Sequence, residues 1–350
     1  PIFTQCSALF ETSMSEGKSP NRYTLRDVAR HAGVSLGTAS KALNKSGTLR
    51  QETREKVLKA ANELGFRPND LAQALHRGQS FTVGLISNDS FGRFTMPIME
   101  GLETVLHAAG IALFMCNATD DPEREKRHID QLLGKRVDGL IFTGRRADRR
   151  PVPGLALGNL PVLYVFSQSD EPGAACLLPD DEGGARLATA HLLSLGRTRI
   201  AHVTGPEDFE AVRLRRRGYE ASLSKVDPAL ILHGPWSEAW GREAATRLLA
   251  MPMRPDAIFA GNDQIARGIV ETLRDNAISV PRDIAVIGFD NWSVMTEASR
   301  PQLSSVDMNL KLLGEEAGHR LIRMIRGERE SGTSRLPCTL VPRASTVPTP

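Results

Sequence analysis

Residues 24–44, Thr-Leu-Arg-Asp-Val-Ala-Arg-His-Ala-Gly-Val-Ser-Leu-Gly-Thr-Ala-Ser-Lys-Ala-Leu-Asn, leave little choice but two short helices joined by a tight turn. Val28 and Ala29 give the first helix a small apolar contact surface, and Thr24 stands at its N-cap. Ala32-Gly33-Val34 makes the turn, where glycine takes a positive φ without steric cost. Ser35 opens the second helix as an N-cap, with Thr38 three residues on. Helical spacing turns Ala39 and Leu43 inward and leaves Leu36, Gly37, Ser40, Lys41 and Asn44 outward. This layout presents a second helix to a DNA major groove, although a polar helical hairpin with no ligand would share it.

The segment beyond Asn44 separates those alternatives. The spacing predicts a third helix over Thr53–Leu64, with an apolar stripe of Val57, Leu58, Ala61 and Leu64 and with Gly65 just past its end. Next comes Phe66-Arg67-Pro68-Asn69-Asp70-Leu71-Ala72-Gln73-Ala74-Leu75. In the first motif, the Pro68-Asn69 pair and the Leu71-Ala72 and Leu75 pattern, the chain resembles the lac repressor (LacI/GalR) family of bacterial transcription regulators. The resemblance runs on to about residue 345 and omits only the first twenty residues.

Charge is distributed unevenly. Residues 21–78 hold 11 Lys and Arg against 5 Asp and Glu, a net of +6, while residues 79–350 carry a net of −2. The modest +3 of the whole chain therefore hides a basic head on a near-neutral body. Such a head suits phosphate contacts with counterion release.

At 350 residues the chain is long enough for two or three domains with sizeable cores. Its 41% hydrophobic and 24% charged content is that of an ordinary globular protein, and no apolar run approaches the ~20 residues of a membrane span. Cys6, Cys116, Cys176 and Cys338 lack any Cys-x-x-Cys spacing and read as reduced cytoplasmic thiols rather than a disulfide framework or zinc site. No secretory signal is evident at the N-terminus, so the expected location is the cytoplasm, with nucleoid association when bound to an operator. The sequence begins with Pro; Met14 offers a native start, and residues 1–21 are expected to form a disordered extension.

Beyond Gly78-Gln79-Ser80 the pattern becomes alternating strands and helices. Strands are expected over 82–87, 111–116, 139–143, 162–166, 200–204, 229–233, 257–260 and 284–288. Helices are expected over 96–109, 122–133, 181–195, 213–223, 237–250 and 263–275. The fold class is thus α/β: an all-α helix-turn-helix domain followed by two doubly wound parallel subdomains with a ligand cleft between them. The resemblance adds likeness to periplasmic sugar-binding proteins. It implies a helix-turn-helix domain over 22–67, a hinge helix and linker over 68–80, and a dimerising core over 81–350. The chain would cross between subdomains near residues 178, 306 and 337, and a helix over 310–326 would return to the first.

The same resemblance assigns candidate residues. Arg215, in Arg215-Arg216-Arg217-Gly218-Tyr219, matches the Arg-x-x-Gly-aromatic motif whose Arg faces the effector, and a guanidinium offers several donors in a fixed fork. Asp290, after Ile284-Ala285-Val286-Ile287-Gly288, matches the family's effector-binding Asp. In the Asn262-Asp263 pair one side chain would reach the ligand, with Asp263 capping the following helix. Trp236 stands where several sugar-responsive relatives place a stacking aromatic. Asn88, Phe91, Arg93 and Phe94 form the cleft's other lip, departing from the common Asn-Pro-Phe-Phe pattern, and Phe166 replaces a polar residue of some sugar-binding relatives.

On the DNA side, Leu36, Gly37 and Lys41 match the principal base-reading positions. Lys41 can donate to guanine N7 and O6, whereas Leu36 offers only apolar contact and Gly37 no side chain. Thr24, Thr38, Ser40 and Asn44 would position the backbone. The family's hinge helix, capped by Asn69 and including Ala72, pairs with its copy in the minor groove, where Leu75 wedges into a base step.

The sequence thus reads as a homodimeric, DNA-binding transcription regulator, a repressor rather than an activator, which binds operator DNA and a small effector. Sugar or sugar acid is the expected effector, with nucleobase or nucleoside the alternative. A solute receptor for transport would share the cleft, but the basic helix-turn-helix sets it aside. An enzyme is also set aside: no Gly-x-Gly-x-x-Gly, P-loop or metal-ligand cluster is present, so no cofactor, metal or catalytic residue is expected. His191, His202 and His233 read as surface or strand-end histidines.

Overall fold

The computed structural model describes residues 23–44, 46–66, 79–90, 92–150 and 157–347. They fall into two compact units, divided along the chain between Ser80 and Phe81. The expected N-terminal extension, Asn69, Ala72 and Leu75 of the expected hinge, and Phe91 lie outside the described residues.

The first unit holds three helices, α1 (Leu25–Ala32), α2 (Leu36–Leu43) and α3 (Gln51–Glu63). A reciprocal capping box starts α1: the Thr24 side chain accepts from the Asp27 amide while Asp27 accepts from the Thr24 amide at 2.9 Å. Gly33 ends it with φ +62, as its place in the turn requires. The core between the three helices is made of small residues, Val28, Ala29, Ala32, Ala39, Ala42, Val57, Ala60 and Ala61. Two details differ from the expected faces. Ala42 is fully buried on α2, where Leu43 packs partly buried against the same core, and Leu58 of α3 is exposed. Both follow from close packing: helices approaching through alanines leave their larger neighbours at the rim.

The second unit has two halves, each built on a six-stranded sheet. The first half begins with β1 (Thr82–Ser87), α4 (Thr95–Ala108), β2 (Ala112–Asn117), α5 (Pro122–Gly134) and β3 (Gly139–Thr143). After the two-residue β4 (Arg149–Arg150) come β5 (Val162–Val165), the two-residue β6 (Gln168–Ser169) and β7 (Ala175–Pro179). The second half begins with α6 (Asp181–Ser194), β8 (Ile200–Thr204), α7 (Glu210–Ser222), β9 (Ile231–His233) and α8 (Glu238–Leu249). It continues through β10 (Ala257–Ala260), α9 (Asp263–Asp275), β11 (Ala285–Phe289), α10 (Ser293–Thr296) and β12 (Ser304–Asp307). The chain then returns to the first half with α11 (Leu310–Ile325) and β13 (Thr333–Leu336), and ends in the second with β14 (Thr339–Val341).

The first sheet runs β13-β7-β5-β3-β1-β2, every neighbouring pair parallel. The second runs β14-β12-β11-β10-β8-β9, parallel except for β14 against β12. Strands covered by helices on both faces read as continuous apolar runs, and β3 (Gly-Leu-Ile-Phe-Thr) and β10 (Ala-Ile-Phe-Ala) are buried at every position. In the first half α4 lies on α11 so closely that a Cβ on Gly101 would sit 2.0 Å from the Lys311 carbonyl oxygen. Glycine is the residue that allows this approach.

Candidate DNA interface and effector cleft

On α2 the Ser35 hydroxyl accepts from the Thr38 amide at 3.1 Å and meets the Thr38 hydroxyl at 2.9 Å, fixing the start of the helix. Leu36 is 47% exposed, and Gly37 and Lys41 lie on the same open side. Gly37 has no packing reason to be glycine, since the nearest atom to an added Cβ is the Ser35 hydroxyl at 4.0 Å. Ser40 and Asn44, expected to face outward, are half-buried and bonded to each other at 3.2 Å. Contact of α2 with both other helices narrows its free face to Leu36, Gly37 and Lys41. His31 ties α1 to α3 through Glu63 at 2.9 Å.

In the second unit the carboxyl ends of the strands point toward one cavity of about 350 Å³, the place where doubly wound sheets hold ligands. Arg93 and Phe94 follow β1, Arg145, Arg146 and Asp148 follow β3, and Phe166 follows β5. From the second half, Phe209 follows β8, Trp236 follows β9, Asn262 follows β10 and Asp290 follows β11. Arg215 reaches in from α7 and Asp181 from the first turn of α6.

Aromatic rings wall the cavity on both sides. Phe94 and Phe166 stack at 4.8 Å, and Trp236 faces Phe209 at 6.3 Å. Phe166 (φ +50) and Asp290 (φ +98) hold a left-handed backbone that bulky or branched side chains avoid, at a cost of about 1–3 kcal/mol each.

The polar side is built from paired charges. Arg215 is 4% exposed. It lies 3.7 Å above the Phe289 ring and donates to Asp181 at 2.9 Å and to the Gly261 carbonyl at 2.5 Å. Its Nη2 lies 3.6 Å from Asp290. Asp290 also makes a short ion pair with Arg93. Burial pushes the carboxyls of Asp181 and Asp290 upward, and the facing arginines pull them back down.

Two expected effector residues lie elsewhere. Asn88 is absent from the cavity lining: its amide donates to Asp120 at 2.8 Å and its carbonyl oxygen accepts from the Arg145 amide at 3.3 Å. Asp263 is neither the helix cap nor a lining residue. Asn262 caps α9, accepting from the Ile265 amide at 2.9 Å, and also faces the cavity. Asp263 is fully buried behind it, accepting from the Ser305 hydroxyl at 2.6 Å and the Trp292 amide at 2.7 Å. Burial raises its carboxyl to about 8. His202, expected at a surface or strand end, is core: it stacks on Phe259 at 4.6 Å and Tyr219 at 5.1 Å, and burial lowers it to about 3.

Sequence reasoning missed Arg145, Arg146, Asp148, Asp181 and Phe209. The signal was present for Arg145 and Arg146, which directly follow an expected strand. Asp181 stood among three acidic residues that all read as helix-start groups. Among the described residues no group of three or more His, Cys, Asp or Glu side chains could hold a metal ion, and no helix is long and apolar enough to cross a membrane.

A three-helix head with an open second helix, and a two-sheet core with a polar and aromatic cavity, define a DNA-binding regulator with a small-molecule effector domain. Comparison with known proteins agrees. Residues 24–69 match the lacI family of bacterial regulatory proteins, and residues 189–346 match a periplasmic binding protein-like domain. The ribose operon repressor of Escherichia coli (strain K12) is 33% identical over 311 residues, covering 86% of this chain and 93% of that protein. The HTH-type transcriptional repressor PurR of Aliivibrio fischeri (strain MJ11) is 32% identical, covering 87% and 92%. A crystal structure of the lac repressor dimer bound to operator and the anti-inducer ONPF matches with a TM-score of 0.79 at 29% identity, covering 93% of this chain and 99% of that one. The chain belongs to the LacI family of bacterial transcription regulators, which are repressors rather than enzymes.

Proposed function

We propose that this regulator binds operator DNA as a homodimer and that a sugar or sugar derivative in the core cavity switches that binding. The observation that carries the effector reading is the cavity itself: about 350 Å³, lined by both halves, with aromatic walls around the buried guanidinium of Arg215 and the half-buried one of Arg93. Aromatic faces suit the apolar faces of a sugar ring, and fixed polar groups suit its hydroxyls. The effector residues are then Arg93, Phe94, Phe166, Arg215, Trp236, Asn262 and Asp290. A sugar operon also lies in the name of a relative, the ribose operon repressor.

On DNA, α2 enters the major groove with Leu36, Gly37 and Lys41 toward the base edges, while Thr24 and Thr38 hold the phosphate backbone. The family resemblance supports Asn69, Ala72 and Leu75 as further DNA contacts, with Leu75 as the wedge in the minor groove. The dimer is supported by the exposed apolar side chains on the edge strand β2, Phe114 at 45% and Met115 at 39% exposed. Bacterial cytoplasm is the setting such a regulator needs.

The deciding experiment is a thermal-shift screen of the full chain against monosaccharides, sugar acids, sugar phosphates and nucleobases. A ligand at 100 times its Kd adds about 2.7 kcal/mol, a shift of roughly 4–5 °C. A sugar that raises the Tm, and no longer does so with Arg215→Ala, supports the reading. A hit confined to nucleobases replaces the effector class. A hit that persists in Arg215→Ala rejects the cavity as its site.

A further inference from the structure

The loop after β1 does more than line the cleft. Arg93 belongs to the first half, yet its guanidinium is committed to the second. It pairs with Asp290 after β11, donates to Gln264 of α9 at 3.1 Å, and lies 4.3 Å over the ring of Trp292. From its own half the Phe94 ring supports it at 4.9 Å. The side chains of Arg93 and Asp290 are only 14% and 6% exposed, so the pair is shielded from water. It also serves as a wall, because Arg93, Phe94 and Asp290 line both the effector cavity and a second cavity of about 470 Å³ beside Asn291, Trp292 and Asn309.

The opposite rim of the cavity is bridged as well. Phe209 cannot cap α7 with its own side chain, and Asp148 accepts from the Glu210 amide at 2.7 Å across the cleft. Beside it Arg146 lies 4.9 Å over the Phe209 ring. The cavity thus sits between two contacts that join the halves, and both are made entirely by the chain's own residues.

We propose that Arg93 is a built-in clasp: it takes the carboxylate of Asp290 and joins the two halves of the core, so that effector and Arg93 compete for Asp290. The competition rests on the effector reading given above; the joining of the halves by Arg93 does not. A guanidinium between two rings, with a carboxylate and an amide oxygen on the far half, makes charge-assisted bonds across the cleft, and parting the halves would strip both charges of these partners. Asp290 then does not stand as a free acceptor for sugar hydroxyls. An effector reaches it only by displacing an arginine, which makes entry and release depend on one ion pair.

The test uses the full chain without effector. Spin labels on Lys126→Cys of the first half and Lys225→Cys of the second, with Cys6 and Cys116 changed to Ser, report the distance between the halves. Wild type should give one narrow, short distribution. Arg93→Met keeps the apolar contact with Phe94 and Trp292 but removes the charge, and should shift the distribution to longer distances. Arg93→Lys should restore it in part. A distribution unchanged in Arg93→Met overturns the proposal, because the remaining contacts, the Asp148–Glu210 hydrogen bond among them, would then hold the halves without Arg93. Asp290→Asn removes the pair from the other side and must shift the distance in the same direction; no shift there overturns the proposal independently. Since no ligand enters the measurement, an empty effector screen would sink the sugar reading without touching the clasp, and an unchanged distance would sink the clasp without touching the sugar reading.

Discussion

At the scale of single residues, Asp263 is the buried neighbour of the Asn262 cap. Asn262 and Asp263 are both good N-cap types, and nothing in a single sequence tells which one the strand delivers to the helix start. The answer lies in contacts distant along the chain, since Asp263 is drawn inward by Ser305 and by the Trp292 amide. Its burial has a measurable consequence. The carboxyl rises from 3.8 to about 8, so the folded state binds the proton more tightly than the unfolded chain does. Its contribution to stability is complete below the unfolded value and is lost as pH rises through about 8. Thermal unfolding from pH 5 to 9 should therefore show a falling Tm. Asp263→Asn, which stays neutral and can still accept from Trp292, should flatten that fall. A variant whose curve is as steep as wild type would show that another group sets the slope.

At the scale of elements, strands with apolar runs and helices with clear caps were legible, among them the helix at Pro122, which starts with proline behind the Asp121 cap. The strands at Ser304–Asp307 and Thr333–Leu336 were not. Ser304 and Ser305 are fully buried in a sheet because their hydroxyls are bonded to Thr346 at 2.7 Å and Asp263 at 2.6 Å, and periodicity cannot see such pairs. The start of α7 at Glu210, three residues before the expected one, depends likewise on Asp148 from the other half. Helix pairing supplies a prediction. Gly101→Ala forces its Cβ against the Lys311 carbonyl and should destabilise the core by about 1–3 kcal/mol or more. Gly134→Ala, where no atom lies within 4 Å, should be neutral or stabilise by up to ~1 kcal/mol. Equal midpoints for the two variants in urea would refute the close approach of α4 and α11.

At the scale of the whole molecule, the basic head and near-neutral body were written in the composition, and they predict how operator binding responds to salt. Log affinity should fall linearly with log salt, and six to ten phosphate contacts would cost roughly 10³–10⁵ in affinity between 50 and 200 mM. A flat response in a filter-binding titration would remove the head's charge from the account. The cavity was legible only as a cleft between two sheets, because the residues that bridge its rims are held by partners 62 to 197 positions away in the chain. Asp148 shows what this bridging entails. It satisfies the first turn of the helix that carries Arg215, so parting the halves strips a hydrogen bond from a helix end as well as exposing a cavity. The amide proton of Glu210 is consequently a clock for the cleft, exchanging with solvent deuterium only as often as the two halves separate.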